Sequence, residues 1–325
     1  MITLYSRSAT FVPPEHVAYL IGDFTDWDER PLSLNGPLTL EFPEGAYVEY
    51  AFLDAQMRPL ADPHNQQRPK HPWYDYHRAL TLPHNTFQEP PRPTRYAGTV
   101  VTYEVPSRSL EGVRTCYVYE PVFSPTATIY VQDGQAFYQK LALHQVADAL
   151  LERKEIKPAR LVFIEPHDRV REYWFNQRYE TFILDEVIPF IDRTHGPTAT
   201  RCLWGASLGG MVSAWLAWKH SDIFSLVVSQ SGCFTADPQG GNYYHDAEWL
   251  TAQFSRTERL PVRFYVETGQ IEWLLAPNRR FAAVLAEKGY MHRYRECPSG
   301  HNWATWEQGL APALRFLFEA DCFAA

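Results

Sequence analysis

From residue 97 onward, short and largely apolar runs alternate with longer stretches of helical period, and this alternation restricts the fold more than any other feature. The runs are "ATIYVQD", "RLVFIEP", "RCLWGAS", "SLVVSQSG", "RFYVETG" and "YRECPSG". Helical patterns lie near 137–153, near 175–194, from 208 and near 277–288, and a last helix closes the chain. A strand apolar along its length has both faces buried, and a helix between successive strands provides the crossover a parallel sheet needs. Ahead of them, "GTVVTYEVP" and "RTCYVYEP" read as an opening antiparallel pair. The spacing therefore predicts one α/β domain over 97–325.

The first 86 residues have a different texture. "HVAYLIGDF", "LTLEFP", "AYVEYAFLD" and "RALTLP" are short strand-like runs punctuated by Gly, Pro, Asn and Asp, with no useful helical period. Such spacing predicts a small all-β sandwich. Between the two regions, residues 87–96 carry Pro90, Pro91 and Pro93, which favour extended backbone and mark a linker.

Composition removes several classes of function. The formal net charge is −8 and Lys and Arg form no run, so nucleic acid is not an expected partner. No stretch approaches a membrane span. The N-terminus lacks the basic and apolar regions of a signal peptide, so a cytoplasmic location is expected. Cys116, Cys202, Cys233, Cys297 and Cys322 are scattered without paired spacing, which predicts buried thiols rather than a disulfide framework or a zinc site. No metal or organic cofactor is expected, and the oligomeric state is not legible.

Chemistry concentrates at "CLWGASLGG". Gly205-Ala206-Ser207-Leu208-Gly209 follows a strand and opens a helix, which is the context a G-x-S-x-G nucleophile turn requires. The glycines leave room where the turn packs on itself, and the Ser207 hydroxyl is lifted to the positive end of the following helix. A serine nucleophile needs a base, and the base needs an acid to orient it. His301, in the loop "CPSGHNWATW", is the expected base, with His245 as the alternative; His220 and His292 read as surface residues. Glu272, just past the strand "RFYVETG", is the expected acid, and Glu267 within that strand is its competitor. Two backbone N–H groups must face the developing oxyanion. Leu208 follows the nucleophile and Gln135 lies in the loop after "IYVQDG", so their amides are the expected donors. Asp133 either braces that loop or meets substrate. Tyr173, Trp174, Trp273 and Trp303 lie on or near these loops and are candidate pocket walls. Arg169, Arg171 and Arg178 are the nearby cations; Arg171 is a further candidate pocket residue, or else pairs with Glu172 or Glu180.

Five motifs in order, "VQDGQAFY", "VREYWFNQRYETFILDEVIPFIDRTHG", "WGASLGG", "VETGQIEWLL" and "CPSGHNWATW", resemble the Putative esterase family of enterochelin (siderophore) esterases, also called the esterase D family. The resemblance spans nearly all of 97–325 and implies an α/β-hydrolase fold with a Ser–acid–His triad. It maps the acid onto Glu272, the base onto His301 and the oxyanion region onto the Asp133-Gly134 loop. "YLIGDFTDW" and "ADPHNQQRP" are similar to the Ig-like module that precedes the hydrolase in enterochelin esterases. The implied function is a serine hydrolase that cleaves small-molecule carboxylic esters through an acyl-enzyme. An acyltransferase on the same scaffold and a non-catalytic carbohydrate-binding protein are the competing readings.

Overall fold

The computed structural model describes residues 2–240, 243 and 247–319. They divide into two compact units. The first holds the chain through Glu89 together with Thr268–Leu275 and Glu296–Gln308, and the remainder forms the second. The division is not the single cut near the proline-rich segment that the sequence suggests, because two later loops are counted with the N-terminal strands.

In the first unit, Ile2–Leu4, Ser8–Phe11 and Leu38–Glu41 pair antiparallel as one small sheet. Tyr19–Gly22, Leu32–Ser33, Tyr47–Leu53, Pro59–Leu60 and Arg78–Thr81 form another. Alternation of buried and half-exposed residues along Ser8–Phe11 turns Ala9 and Phe11 inward. They share a core with Leu20, Val48, Tyr50, Phe52 and Leu80 of the second sheet, and Ile271 packs against the same core.

The second unit is built on an eight-stranded sheet. In chain order its strands are β1 (Thr99–Ser107), β2 (Gly112–Glu120), β3 (Ala127–Val131), β4 (Ala159–Ile164), β5 (Thr200–Ala206), β6 (Leu226–Gln230), β7 (Arg263–Gly269) and β8 (His292–Cys297). Their spatial order is β8-β7-β6-β5-β3-β4-β2-β1. β1 and β2 pair antiparallel, as does β2 with β4, whereas β4, β3, β5, β6 and β7 run parallel. Every residue of β3, β4 and β6 is buried, as expected of mostly apolar strands covered on both faces. Register aligns Ala206 with Gln230 and Gln230 with Glu267, so β5, β6 and β7 leave the sheet at one edge.

The helical stretches are more broken than their period suggests. Near 137–153 a π-helical turn, Ala136–Lys140, precedes an α-helix over Leu143–Glu152. Near 175–194, Gln177–Thr181 and Ile188–His195 flank another π-helical stretch, with Pro189 entering at the start of the last segment. Among the described residues no helix is long and apolar enough to cross a membrane. Cys116, Cys202, Cys233 and Cys297 are buried and form no disulfide among the described residues; Cys322 lies outside them.

A Cβ at Gly205 would overlap the backbone of Gly209 one helical turn later. Gly205→Ala is therefore expected to force the strand and helix apart and destabilise the protein by about 1–3 kcal/mol. Urea unfolding of the purified variant measures it.

Candidate active site

Ser207 sits where β5 turns into the helix Leu208–Lys219, at φ 56° and ψ −123°, a conformation a non-glycine residue rarely adopts. The surrounding backbone over-determines it. Ser207 N–H donates to the Gln230 carbonyl at 2.8 Å, and the Ser207 carbonyl accepts from Met211 and Cys233 at 3.1 and 3.0 Å. Gly210 is equally constrained, since a Cβ there would lie 2.6 Å from Ser229 Oγ. Ser207 does not cap its own helix. The Leu208 N–H is one of the donors that a helix start leaves without an intrahelical partner.

The Asp133-Gly134 loop follows β3, next to β5 in the sheet. Asp133 has φ 54°, and its carboxylate is gripped by Arg169, Nε to Oδ1 at 2.6 Å and Nη2 to Oδ2 at 2.9 Å. Arg169 also donates to the Ala206 carbonyl at 3.1 Å, and a Cβ on Gly209 would lie 3.0 Å from Asp133 Oδ2. Of the two roles open to Asp133, the structure displays the bracing one. Gln135 requires a correction. Its N–H donates to the Glu165 carboxylate at 2.6 Å, because the chain is already helical at Gln135 and aims that amide at the end of β4. One residue earlier, the Gly134 N–H carries no hydrogen bond among the described residues. Gly134 has no room for a side chain, since a Cβ would lie 2.5 Å from Ile164 N.

Tyr173 is also corrected, from pocket wall to buried brace. It is fully buried, and its hydroxyl accepts the Asp133 N–H at 2.8 Å. Trp174 is half-buried, donating through Nε1 to the Asp237 carbonyl at 2.9 Å and meeting the Tyr243 ring edge-on. Arg171 is exposed and pairs with neither expected glutamate. Glu172 binds Arg114 at 3.2 Å, and Glu180 binds Lys219 and His220 at 2.5 and 2.6 Å. Arg178 pairs with Glu111 at 2.7 Å.

In the first unit, Glu272 and His301 meet. Both Glu272 oxygens are committed: Oε1 accepts from Thr268 Oγ1 and from the Gly269 N–H, each at 2.6 Å, and Oε2 engages His301 Nδ1 in a short contact. The carboxylate is fully buried and the imidazole 11% exposed. With Nδ1 so engaged, Nε2 is the ring nitrogen left for chemistry. Trp273 lies tilted against the imidazole at 4.5 Å, and Trp306 meets it edge-on at 5.1 Å. Trp303 is buried against Trp73 and Trp306. Glu267, the competing acid, accepts from Gln230, Tyr265 and Arg295 at 2.6, 3.0 and 3.2 Å, and its burial pushes the carboxyl up. A Cβ on Gly309 would overlap the Glu267 carboxylate, so no room is left there for an imidazole. His245 lies outside the described residues.

Beside His301 opens a cavity of about 250 Å³ lined by Trp27, Trp73, Tyr74, Tyr76 and His77. Trp27 stacks on His77 at 4.0 Å, and burial pushes the His77 imidazole down to about 4. None of these five was among the expected pocket residues. The available signal was "HPWYDYH", residues 71–77, where five of seven positions are aromatic or histidine.

Comparison with known proteins decides the family. The profile described as "Putative esterase" matches residues 107–317, which holds every element from β2 to the last helix. The chain belongs to that esterase family. YjcH of Bacillus subtilis, an uncharacterized protein, is 25% identical over 239 residues, covering 67% of this chain and 97% of YjcH. The iron(III) enterobactin esterase of Escherichia coli is 26% identical over 199 residues, 58% of this chain and 48% of that one. Among solved structures, the Shigella flexneri enterobactin esterase FES, crystallised with 2,3-Di-hydroxy-N-benzoyl-glycine, superposes with a TM-score of 0.73 at 19% identity. That likeness covers 97% of this chain and 94% of FES, and it establishes an α/β-hydrolase-type fold. A ferulic acid esterase matches at a TM-score of 0.61 and 19% identity over 69% of this chain and 98% of its own. Family membership makes the protein an ester hydrolase.

Removing the Tyr173 hydroxyl leaves the Asp133 N–H buried without a partner. Tyr173→Phe is expected to cost about 1–3 kcal/mol in urea unfolding. It should also lower ester turnover, because the loop it holds lies against Gly209.

Proposed function

We propose that the protein is a serine hydrolase of carboxylic esters in which Ser207 is the nucleophile, His301 the general base and Glu272 the acid that orients it. The observation that carries this reading is the Glu272–His301 pair, a buried carboxylate held by Thr268 and Gly269 and aimed at imidazole Nδ1. Such an arrangement fixes the tautomer with Nε2 free to accept a proton and favours the imidazolium once formed. Ser207 supports its part by its strained turn at a helix N-terminus.

In this mechanism Ser207 Oγ attacks the ester carbonyl while Nε2 of His301 takes the hydroxyl proton. The Leu208 amide, with Gly134 in the place expected of Gln135, donates to the oxyanion of the tetrahedral intermediate. Collapse expels the alcohol, which receives the proton from His301. Water, deprotonated by the same imidazole, then attacks the acyl-enzyme; collapse breaks the bond to Ser207 Oγ, which takes the proton back from His301, and releases the acid.

We assign the aromatic cavity to an aryl group of the substrate. About 150 Å³ of apolar space suffices for a benzene ring, and this cavity is larger, with four aromatic side chains and neither Lys nor Arg. FES was crystallised with a benzoyl compound, which supports an aromatic acyl group here as well. A lining without cations suits an uncharged aryl ester better than a multiply anionic complex. The N-terminal β unit, on this reading an Ig-like module, supplies that wall.

Ser207→Ala and His301→Ala are each expected to lower kcat on p-nitrophenyl benzoate by about 10⁴-fold or more. Glu272→Gln should lower it by about 10²–10⁴-fold, and Glu267→Gln far less. Turnover by Ser207→Ala at the wild-type rate would remove the nucleophile assignment. A wild-type rate in Glu272→Gln would remove the acid.

Trp73→Ala tests the substrate class. Its KM should rise several-fold for p-nitrophenyl benzoate but little for p-nitrophenyl acetate; an equal change for both esters would rule out an aryl site.

A further inference from the structure

The run "GDFTDW" ends in Trp27 of the aromatic cavity, and its second residue, Asp23, places a carboxyl in an unusual position. Asp23 begins a 3-10 turn after the strand Tyr19–Gly22 and is only 2% exposed. Burying a carboxyl is costly unless its oxygens are bonded. Its Oδ2 accepts two hydrogen bonds, from the Glu49 N–H at 2.8 Å and from Asn302 Nδ2 at 2.9 Å. The first anchors Asp23 to the strand Tyr47–Leu53, and the second reaches the residue that follows His301.

The residue that precedes His301 is bound to the same group. A Cβ on Gly300 would overlap the Asp23 carboxyl, so the loop passes directly over it and tolerates only glycine there. Asn302 then transmits the anchor. Its Oδ1 accepts the Thr305 N–H at 3.0 Å at the start of the helix Trp303–Leu317, and Thr305 Oγ1 donates to the Gly300 carbonyl at 2.7 Å. The Ser299 carbonyl accepts from Ile271 N–H at 2.9 Å, which ties the loop to the segment carrying Glu272. His301 is thus held between two neighbours that both rest on Asp23.

We propose that Asp23 is a positioning residue for the general base: through Asn302 and Gly300 it holds the His301 loop so that the imidazole stays aligned on Glu272. The inference rests on the reading of His301 as the base, and it makes the N-terminal β unit part of the catalytic apparatus as well as a wall for substrate. Burial pushes the Asp23 carboxyl up to about 8, with nearby Glu272 adding to the rise. A neutral acid and an amide have similar shape and hydrogen-bonding capacity here, so Asn can stand in for Asp23 while Leu cannot.

The test uses the full chain, with near-UV circular dichroism to confirm folding. Wild type, Asp23→Asn, Asp23→Leu and Asn302→Ser are compared for kcat and KM on p-nitrophenyl acetate and for the rate of fluorophosphonate labelling. In Asn302→Ser the introduced hydroxyl would still cap the Thr305 N–H but is too short to reach Asp23. Asp23→Leu and Asn302→Ser should each lose about tenfold or more in kcat and in labelling rate, with KM within about twofold. Asp23→Asn should keep at least half of kcat. A purely structural role would lower stability without this split. Wild-type kcat in folded Asp23→Leu, or an Asp23→Asn as impaired as the Leu variant, overturns the proposal. If Asp23→Leu does not fold, Asn302→Ser decides alone, and wild-type kcat there overturns it. Ser207→Ala and His301→Ala in the same assay separate the two readings. Activity in those controls would refute the catalytic assignment itself, whereas inactive controls beside unimpaired Asp23→Leu and Asn302→Ser would refute only the positioning role.

Discussion

A strand that must turn into a helix without room for side chains governs the second unit. Gly205 and Gly209 approach so closely that neither could carry a Cβ without moving its surroundings: Gly205 would overlap Gly209, and Gly209 would press on Asp133. That closeness accompanies a positive φ at Ser207. Conformations of this kind cost free energy and persist where the neighbouring structure over-determines them. Here the over-determination comes from β6, through the Gln230 carbonyl, and from Cys233 beyond it.

The protein sorts its buried acids by the donors each one meets. Asp133 faces a guanidinium and braces a loop. Glu267 faces an amide, a phenol and Arg295 and is closed in. Glu272 receives two donors on one oxygen and offers the other to an imidazole. Asp23 collects donors from a strand and from the loop bearing that imidazole. All four are carboxyls with little exposure, so burial alone does not tell them apart. The identity of the partner does, since an acid acts on a base only when its remaining oxygen points at one.

The alternation of apolar runs and helical periods made the parallel sheet legible, because a strand buried on both faces is built mostly from apolar residues. The turn at Ser207 was legible for the same reason: few residues besides glycine fit it. Glu272 and His301 could be picked as residues in loops after strands, but their pairing depends on Thr268 and Gly269 reaching the same oxygen. Gln135 illustrates the opposite case. Its amide sits one residue past the expected turn, and one residue of helix rotates an N–H by about 100°. Tyr173 looked like a wall because of its place in the chain, and only packing reveals that its hydroxyl is spent on the Asp133 loop.

What the sequence by itself determined is local: which segments must be strand or helix, where glycine is required, and which side chains have the chemistry of nucleophile, base and acid. Tertiary structure decided which of several equivalent groups are brought together. It brought Glu272 to His301 and gathered Trp73, Tyr74, Tyr76 and His77 with Trp27 beside it. It also counted two loops from after residue 267 with the first 89 residues. The physical reason is range. Backbone preference and side-chain period act over a few residues and can be read in order. A hydrogen bond such as Asp23 to Asn302 joins groups 279 positions apart, and no local pattern records it.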